Sequence, residues 1–446
     1  MHIWLPYAHP QAPSHISSLM SGVMIKTAIY GMLRFIVVIL GLGSIWWGNL
    51  ILVLALLSCF VGIMYALMDN DIKRLLAYSS VENMGIILLG VGAGILFLKM
   101  NLPFLAVLAL SAGLYHLVNH AIFKGLLFLG AGSVYKATGT RDIEKMGGLI
   151  KLMPVTATCF LVGALSISAI PPFNGFMSEW LLLQAFFLAA LNFSGGWKIF
   201  MGLIAAGIAL TGGLAAGCFV KAFGITFLGL PRSKKSENAK EISAGMKFSM
   251  ILLSALAVGF GLLAPVIIKI LAGVSAYVMG VDISTFKFSL NNLSVFIPQN
   301  NAHASAALLA IILILGVIFI AAFIYFLFGK PKTSFVNTWD CGYYNLTSRN
   351  EYTSTAFSKP FRIAFSFFLK PYKKTEKIRD SFYHVKSFKY EVFTTPVFKR
   401  YIYDPILSLV LKSAGQMRKM QPGSIHLYIA YIFIAVILLI IFMNRI

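Results

Sequence analysis

Charge is scarce in this sequence. Of its 446 residues only 12% are charged, and the 15 acidic ones are outnumbered by 37 Lys and Arg. Soluble globular domains carry roughly 25% charged residues, so a soluble enzyme is excluded. Cysteine is scarce too: Cys59, Cys159, Cys218 and Cys341 lie far apart, and no pair has the spacing of a disulfide framework or an iron–sulfur site. Short strands of alternating polarity are lacking, which excludes a transmembrane β-barrel. The first residues, MHIWLPYAHPQAPSH, lack a basic segment followed by an apolar one, so no signal peptide is expected.

Apolar residues are abundant. They make up 59% of the chain, with a mean hydropathy of +0.83. Aromatics contribute 14%, which excludes disorder. Apolar runs near the length of a bilayer crossing recur from end to end, so the fold class is an all-α polytopic membrane protein. Nine spans are expected, at about 16–40, 44–68, 73–97, 103–135, 153–191, 199–229, 246–275, 305–328 and 427–444. Two of these runs are too long for a simple helix and are expected to be broken. The run 153–191 contains Pro171-Pro172, which interrupts the hydrogen-bond ladder. The run 103–135 contains His116, His120 and Lys124, which do not face lipid.

The net charge of +22 follows from topology rather than from nucleic-acid binding. Segments 69–74, 136–152, 230–247 and 330–426 hold 2, 4, 5 and 17 Lys and Arg, while the intervening loops hold almost none. This alternation places the N-terminus and the basic loops in the cytoplasm and the C-terminus on the opposite side. Within the last basic segment, residues 401–420 have apolar positions at helical spacing opposite Lys and Arg. That pattern suits a helix lying along the membrane surface, the alternative being a basic loop on anionic lipid.

Ionisable side chains inside apolar runs carry the chemistry. Lys26 sits mid-span in SGVMIKTAIYGMLR. His116, His120 and Lys124 recur every four residues and share one helical stripe. Glu179 follows the Pro break in IPPFNGFMSEW, and Glu82 lies in AYSSVENMG. Such groups, bridged by water, pass protons through hydrocarbon, and buried lysines gate by electrostatics. Taken singly, each has a structural alternative: an ion pair in the bundle, a core histidine, or snorkelling for Arg34 and Lys221. A metal or haem site on the histidine pair is disfavoured, because a Lys one turn on repels a cation.

The stretches WLPYAHPQAPSHISSLMSGVMIKTAIYG, DNDIKRLLAYSSVENMG, HLVNHAIFKGLLFLGAGSVY, TRDIEKMGGL and IPPFNGFMSEW resemble the antiporter-like membrane subunits shared by respiratory complex I, cation/proton antiporters and membrane-bound hydrogenases. The later stretch TWDCGYYNLTSRNEYTSTAFSKP is similar to the hydrogenase-4 component B and formate hydrogenlyase subunit 3 branch. The resemblance implies two inverted five-helix repeats, each a proton half-channel around a broken helix. It further implies that Lys26 links the half-channels, that His116, His120 and Lys124 form a central relay, and that Glu179 lies at the exit. The segment 330–426 would hold a lateral helix along neighbouring subunits. The family's first repeat carries a glutamate and a lysine upstream of the WLP motif, where this sequence has no counterpart. The expectation is therefore either that the sequence is a fragment or that a companion chain supplies the N-terminal repeat.

These readings give four regions: an antiporter-like channel region (1–229), two further transmembrane helices (230–328), a basic segment with the lateral helix (329–426) and a C-terminal transmembrane helix (427–446). The expected function is a proton-translocating subunit of a membrane-bound oxidoreductase complex in the cytoplasmic membrane of a prokaryote. Iron–sulfur clusters and a nickel–iron centre would belong to partner subunits, with no cofactor in this chain and no nucleic-acid partner. The competing readings are a stand-alone sodium/proton antiporter subunit and a non-conducting scaffold. The Trp339-Asp340-Cys341 region argues against the first of these.

Overall fold

The structure is a computed structural model, and it describes residues 4–282, 294–297, 302–330, 334, 336, 341–343, 345–379, 385–394, 398–419 and 423–443. Trp339 and Asp340 lie outside the described residues. The chain forms two compact units, Met1–Pro360 and Phe361–Ile446.

The first unit opens with a short helix, α1 (Leu5–Gln11). A long helical stretch follows, made of α2 (Ser14–Leu19), a π turn (Met20–Met24), α3 (Ile25–Met32) and a π segment (Leu33–Ile39). The centre of the unit is α4 (Ile45–Met68), α5 (Ile72–Lys99) and α6 (Pro103–Thr138). Then come α7 (Leu149–Leu152), α8 (Pro154–Ile167), α9 (Asn174–Asn192), α10 (Gly195–Phe227), α11 (Lys234–Glu237), α12 (Ala244–Leu262) and α13 (Ala264–Met279). A small antiparallel hairpin, β1 (Val295–Ile297) with β2 (Ala302–Ala304), precedes α14 (Ala306–Phe328). The helix α15 (Ser354–Ala364) closes this unit and leads into the second.

The second unit contains α16 (Ser366–Leu369) and a hairpin of β3 (Tyr372–Arg379) with β4 (Val385–Phe393). A π segment (Lys399–Tyr403), α17 (Asp404–Lys419) and α18 (Ile425–Met443) complete it. The helix α17 falls within the stretch expected to form a surface helix. The two hairpins are additions to an otherwise helical chain.

Among the described residues nine helical stretches are long and apolar enough to cross a membrane, and each overlaps one of the expected spans. The run 153–191 is interrupted between Ile167 and Asn174, at the two prolines. The run 103–135 is not interrupted, contrary to expectation: α6 is one continuous helix of 36 residues. Its proline is confined to the first turn, and its C-terminus stops at Gly139 in a left-handed conformation. Polar residues on α6 need partners rather than a break, and neighbouring helices supply one to each of His116, Asn119, His120 and Lys124. A further interruption lies between α12 and α13, where Pro265 opens the second helix.

Glycines let the central helices meet closely. A Cβ on Gly62 would lie 2.5 Å from the Glu82 amide nitrogen, and one on Gly90 would lie 2.6 Å from Gly113 Cα. Small residues at such crossings allow the backbone contact that packs helices where no water drives association. The Asp71 carboxylate caps α5 by accepting from Lys73 N (2.9 Å) and Arg74 N (3.2 Å), and it pairs with Arg141 at 3.1 Å. Burial nevertheless pushes the Asp71 carboxyl above its ordinary range, against the pull of Arg141.

Candidate functional site

The six expected residues are all buried; none is more than 8% exposed. His116, His120 and Lys124 lie at the middle of α6: His116 meets α5 and α9, His120 meets α3, and Lys124 meets α5. α5 contributes Glu82 with Ser79, Ser80 and Asn83, α3 contributes Lys26, and α9 contributes Glu179 with Ser178.

His116 is held between two helices. Its Nε2 lies 3.1 Å from Asn83 Oδ1 and its Nδ1 lies 3.0 Å from Ser178 Oγ. The Asn83 amide nitrogen donates to Glu82 Oε2 (2.7 Å) and to the Ser79 carbonyl (2.8 Å), which leaves its oxygen facing the imidazole. This arrangement assigns the Nε2 proton to His116. The Ser178 hydroxyl is 2.9 Å from the Gly175 carbonyl and accepts from Asn119 Nδ2 at 3.3 Å. It donates to Nδ1 when the imidazole is neutral. When the ring is charged, the hydroxyl turns its proton to Gly175 and accepts from Nδ1 instead. The same cradle therefore satisfies both protonation states.

Lys26 and His120 form a second pair, 94 positions apart in sequence, with Nζ 2.6 Å from Nδ1. Lys26 Nζ also donates to the Ser21 carbonyl inside the π turn of its own helix. π turns widen the backbone locally and recur at functional sites. At an effective dielectric of about 20, two unit charges at this separation repel by about 6 kcal/mol. The pair therefore does not carry two positive charges at once.

Lys124 Nζ donates to the Leu76 carbonyl (2.9 Å) and to Ser79 Oγ (2.5 Å) on α5, and lies 5.9 Å from the Phe219 ring centroid. The Leu76 carbonyl also accepts from Ser80 Oγ (2.9 Å), and Ser80 meets Ser21 Oγ at 2.8 Å. Contacts thus lead from Lys124 through the Leu76 carbonyl and the Ser80 hydroxyl to the Ser21 hydroxyl, while the Ser21 backbone carbonyl separately accepts from Lys26. On a second branch Lys124 meets the Ser79 hydroxyl, and the Ser79 backbone carbonyl accepts from Asn83, which joins Glu82 and His116.

Glu179 is the exception. It adjoins Ser178 in sequence, yet among the described residues its carboxylate makes none of the bonds that join the other five. It faces α10, where an added Cβ on Gly212 would lie 3.5 Å from Oε2. Lys221 does not snorkel: it is fully buried and donates to the Leu67 (2.6 Å) and Asp69 (2.7 Å) carbonyls at the end of α4. Arg34 is exposed. Sequence reasoning passed over Ser79, Ser80, Asn83, Ser178 and Asn119. The signal for the α5 set is a run of four polar residues within five positions of an apolar helix.

The family model described as NADH:quinone oxidoreductase/Mrp antiporter, TM, matches residues 1–209, a range that holds Lys26, Glu82, His116, His120, Lys124 and Glu179. The chain belongs to this family. Hydrogenase-4 component B of Escherichia coli (strain K12) is 37% identical over 459 residues, covering 99% of this chain and 66% of that protein. Formate hydrogenlyase subunit 3 of the same organism is 39% identical over 376 residues, covering 83% of this chain and 58% of that protein. The chain thus spans less than two thirds of the length of either relative. Among solved structures, an archaeal respiratory complex, the membrane-bound sulfane sulfur reductase, contains a chain that superposes with a TM-score of 0.75. That chain is 25% identical; the match covers 99% of this chain and 65% of that one.

Proposed function

We propose that this chain is the proton-translocating subunit of a membrane-bound oxidoreductase complex of the hydrogenase or formate hydrogenlyase kind, coupling electron transfer in partner subunits to ion transport. The observation that carries this reading is the cluster of titratable groups buried at the centre of an apolar bundle, five of them connected through serine, asparagine and backbone carbonyl contacts. Ionisable groups at such depth are costly, and groups bonded in series serve to move protons.

In this account Lys124 and the Lys26–His120 pair hold protons whose charges influence one another across the bundle. Movement of charge in a partner subunit shifts that balance by some kcal/mol, and a proton moves between these buried groups and His116 Nδ1, the ring nitrogen that faces Ser178. His116 receives it without losing a hydrogen bond, because Ser178 reverses its role. Glu179 releases the proton towards the opposite surface. Iron–sulfur clusters and the nickel–iron centre reside in the partners, and α17 lies along them as the lateral helix. The N-terminus and the basic loops face the cytoplasm of a prokaryotic cell.

The test uses inverted membrane vesicles carrying the complete complex, with proton uptake read by a pH-sensitive dye and redox turnover measured in parallel. Glu179→Gln is expected to abolish uptake while redox turnover persists. Full uptake in that variant would sink the assignment.

A further inference from the structure

One buried titratable group takes no part in the network described above. His9, in α1, is fully buried, and neither of its ring nitrogens has a hydrogen-bond partner among the described residues. Its ring stacks on Phe128, with centroids 5.4 Å apart and planes at 21°. Phe128 continues the α6 stripe one step beyond His116, His120 and Lys124 at the same four-residue spacing. His9 therefore stands one turn past Lys124, towards the end of the bundle that bears the basic loops.

The segment around it is anchored firmly. Arg141 donates to the Pro10 carbonyl, Lys73 donates to the Ala12 carbonyl (2.9 Å), and Ser17 Oγ donates to the His9 carbonyl (2.8 Å). Lys73 and Arg141 belong to the basic loop ends at 69–74 and 136–152. Gln11 and Pro13, two and four residues further on, are exposed. A buried imidazole with neither nitrogen in a well-formed hydrogen bond is costly unless another group or a water engages it.

We propose that His9 is the proton-exchange station between Lys124 and the aqueous face carrying loops 69–74 and 136–152, giving this chain a proton entry of its own. The proposal rests on the transport reading given above and adds a site to it. One ring nitrogen binds a proton from surface water while the other releases its proton towards Lys124, and rotation of the ring restores the starting tautomer. No net charge accumulates on the imidazole. This fits its surroundings: burial first, then the charges of Lys124, Lys26 and Lys73, push His9 down to about 4, so the ring is neutral at physiological pH.

The test is made on the complete complex in inverted vesicles, with Glu179→Gln alongside. His9→Phe preserves an aromatic ring against Phe128 and so keeps the packing, while His9→Ala opens a space that exogenous imidazole can fill. Both variants are expected to lose proton uptake at least about a hundredfold with redox turnover retained, the low end of what a positioned proton carrier contributes. Imidazole at millimolar concentration is expected to restore uptake in His9→Ala and not in His9→Phe. Wild-type uptake in both variants would overturn the proposal, as would a loss in His9→Ala that imidazole leaves unchanged. Normal uptake in Glu179→Gln would instead refute the transport reading itself. Loss in Glu179→Gln with normal uptake in both His9 variants would refute the entry site alone.

Discussion

Ser178→Ala is the most informative single change, because it removes one hydroxyl with several roles. Ser178 Oγ is 3.0 Å from His116 Nδ1, 2.9 Å from the Gly175 carbonyl and 3.3 Å from Asn119 Nδ2. Asn119 keeps its bond to the Asn174 carbonyl at 2.8 Å, and Gly175 is a helix carbonyl, so the cost falls on His116. The imidazolium loses a charge-assisted bond worth about 1.5–3 kcal/mol, while the neutral ring loses only a neutral bond worth about 1 kcal/mol. The difference, about 0.5–2 kcal/mol, makes the proton-loaded state of His116 roughly two- to thirtyfold rarer. Proton uptake per redox turnover in inverted vesicles should fall by that factor, and Ser178→Thr, which keeps a hydroxyl, should recover most of it. A Ser178→Ala complex that translocates at the unmodified rate would refute the idea that His116 is loaded through this cradle.

Two further predictions concern groups outside that cradle. Lys221→Met leaves the buried Asp69 carbonyl without its donor, while the Leu67 carbonyl keeps Ser358 Oγ at 2.7 Å, so stability should fall by about 1–3 kcal/mol. Thermal unfolding of the purified chain in detergent reads this, and an unchanged melting temperature would contradict the capping role. For His9 the folded value, about 4, lies below the ordinary 6.5, so protons bind the unfolded chain more readily. Its contribution to stability is fully present above pH 6.5 and is lost as pH falls towards 4, by about 3 kcal/mol. The stability difference between wild type and His9→Phe should shift by that amount between pH 7 and pH 4, and a difference independent of pH would be the contrary result.

The parts of the site that could be read from the sequence were those where charge interrupts an apolar run. Lys26, Glu82, His116, His120, Lys124 and Glu179 stand out because hydrocarbon does not tolerate them singly. Their partners did not stand out, since serine and asparagine are ordinary in membrane helices and acquire meaning only from what they face. The pairing of Lys26 with His120 joins residues 94 positions apart, and no local pattern encodes it. His9 precedes the first apolar run, where a histidine carries no local signal. The expected break in α6 failed for a related reason: partners on α3, α5 and α9 engage His116, His120, Asn119 and Lys124, and an unbroken ladder costs less than a gap. His120 Nε2 and Asn119 Oδ1 have no partner among the described residues. Pro265 marked the division between α12 and α13, yet the apolar pattern carried across it. The β3–β4 hairpin was obscured because lysines and aromatics mixed along it read equally as a surface-bound segment.

The account stands or falls on whether Lys124 carries protons. Lys124 is completely buried at the junction of both hydrogen-bonded branches, and Lys124→Met keeps its length and packing while removing the charge. In inverted vesicles carrying the complete complex, the account predicts redox turnover with proton uptake abolished. Uptake at the unmodified rate in that variant would contradict it and leave the chain as a membrane scaffold.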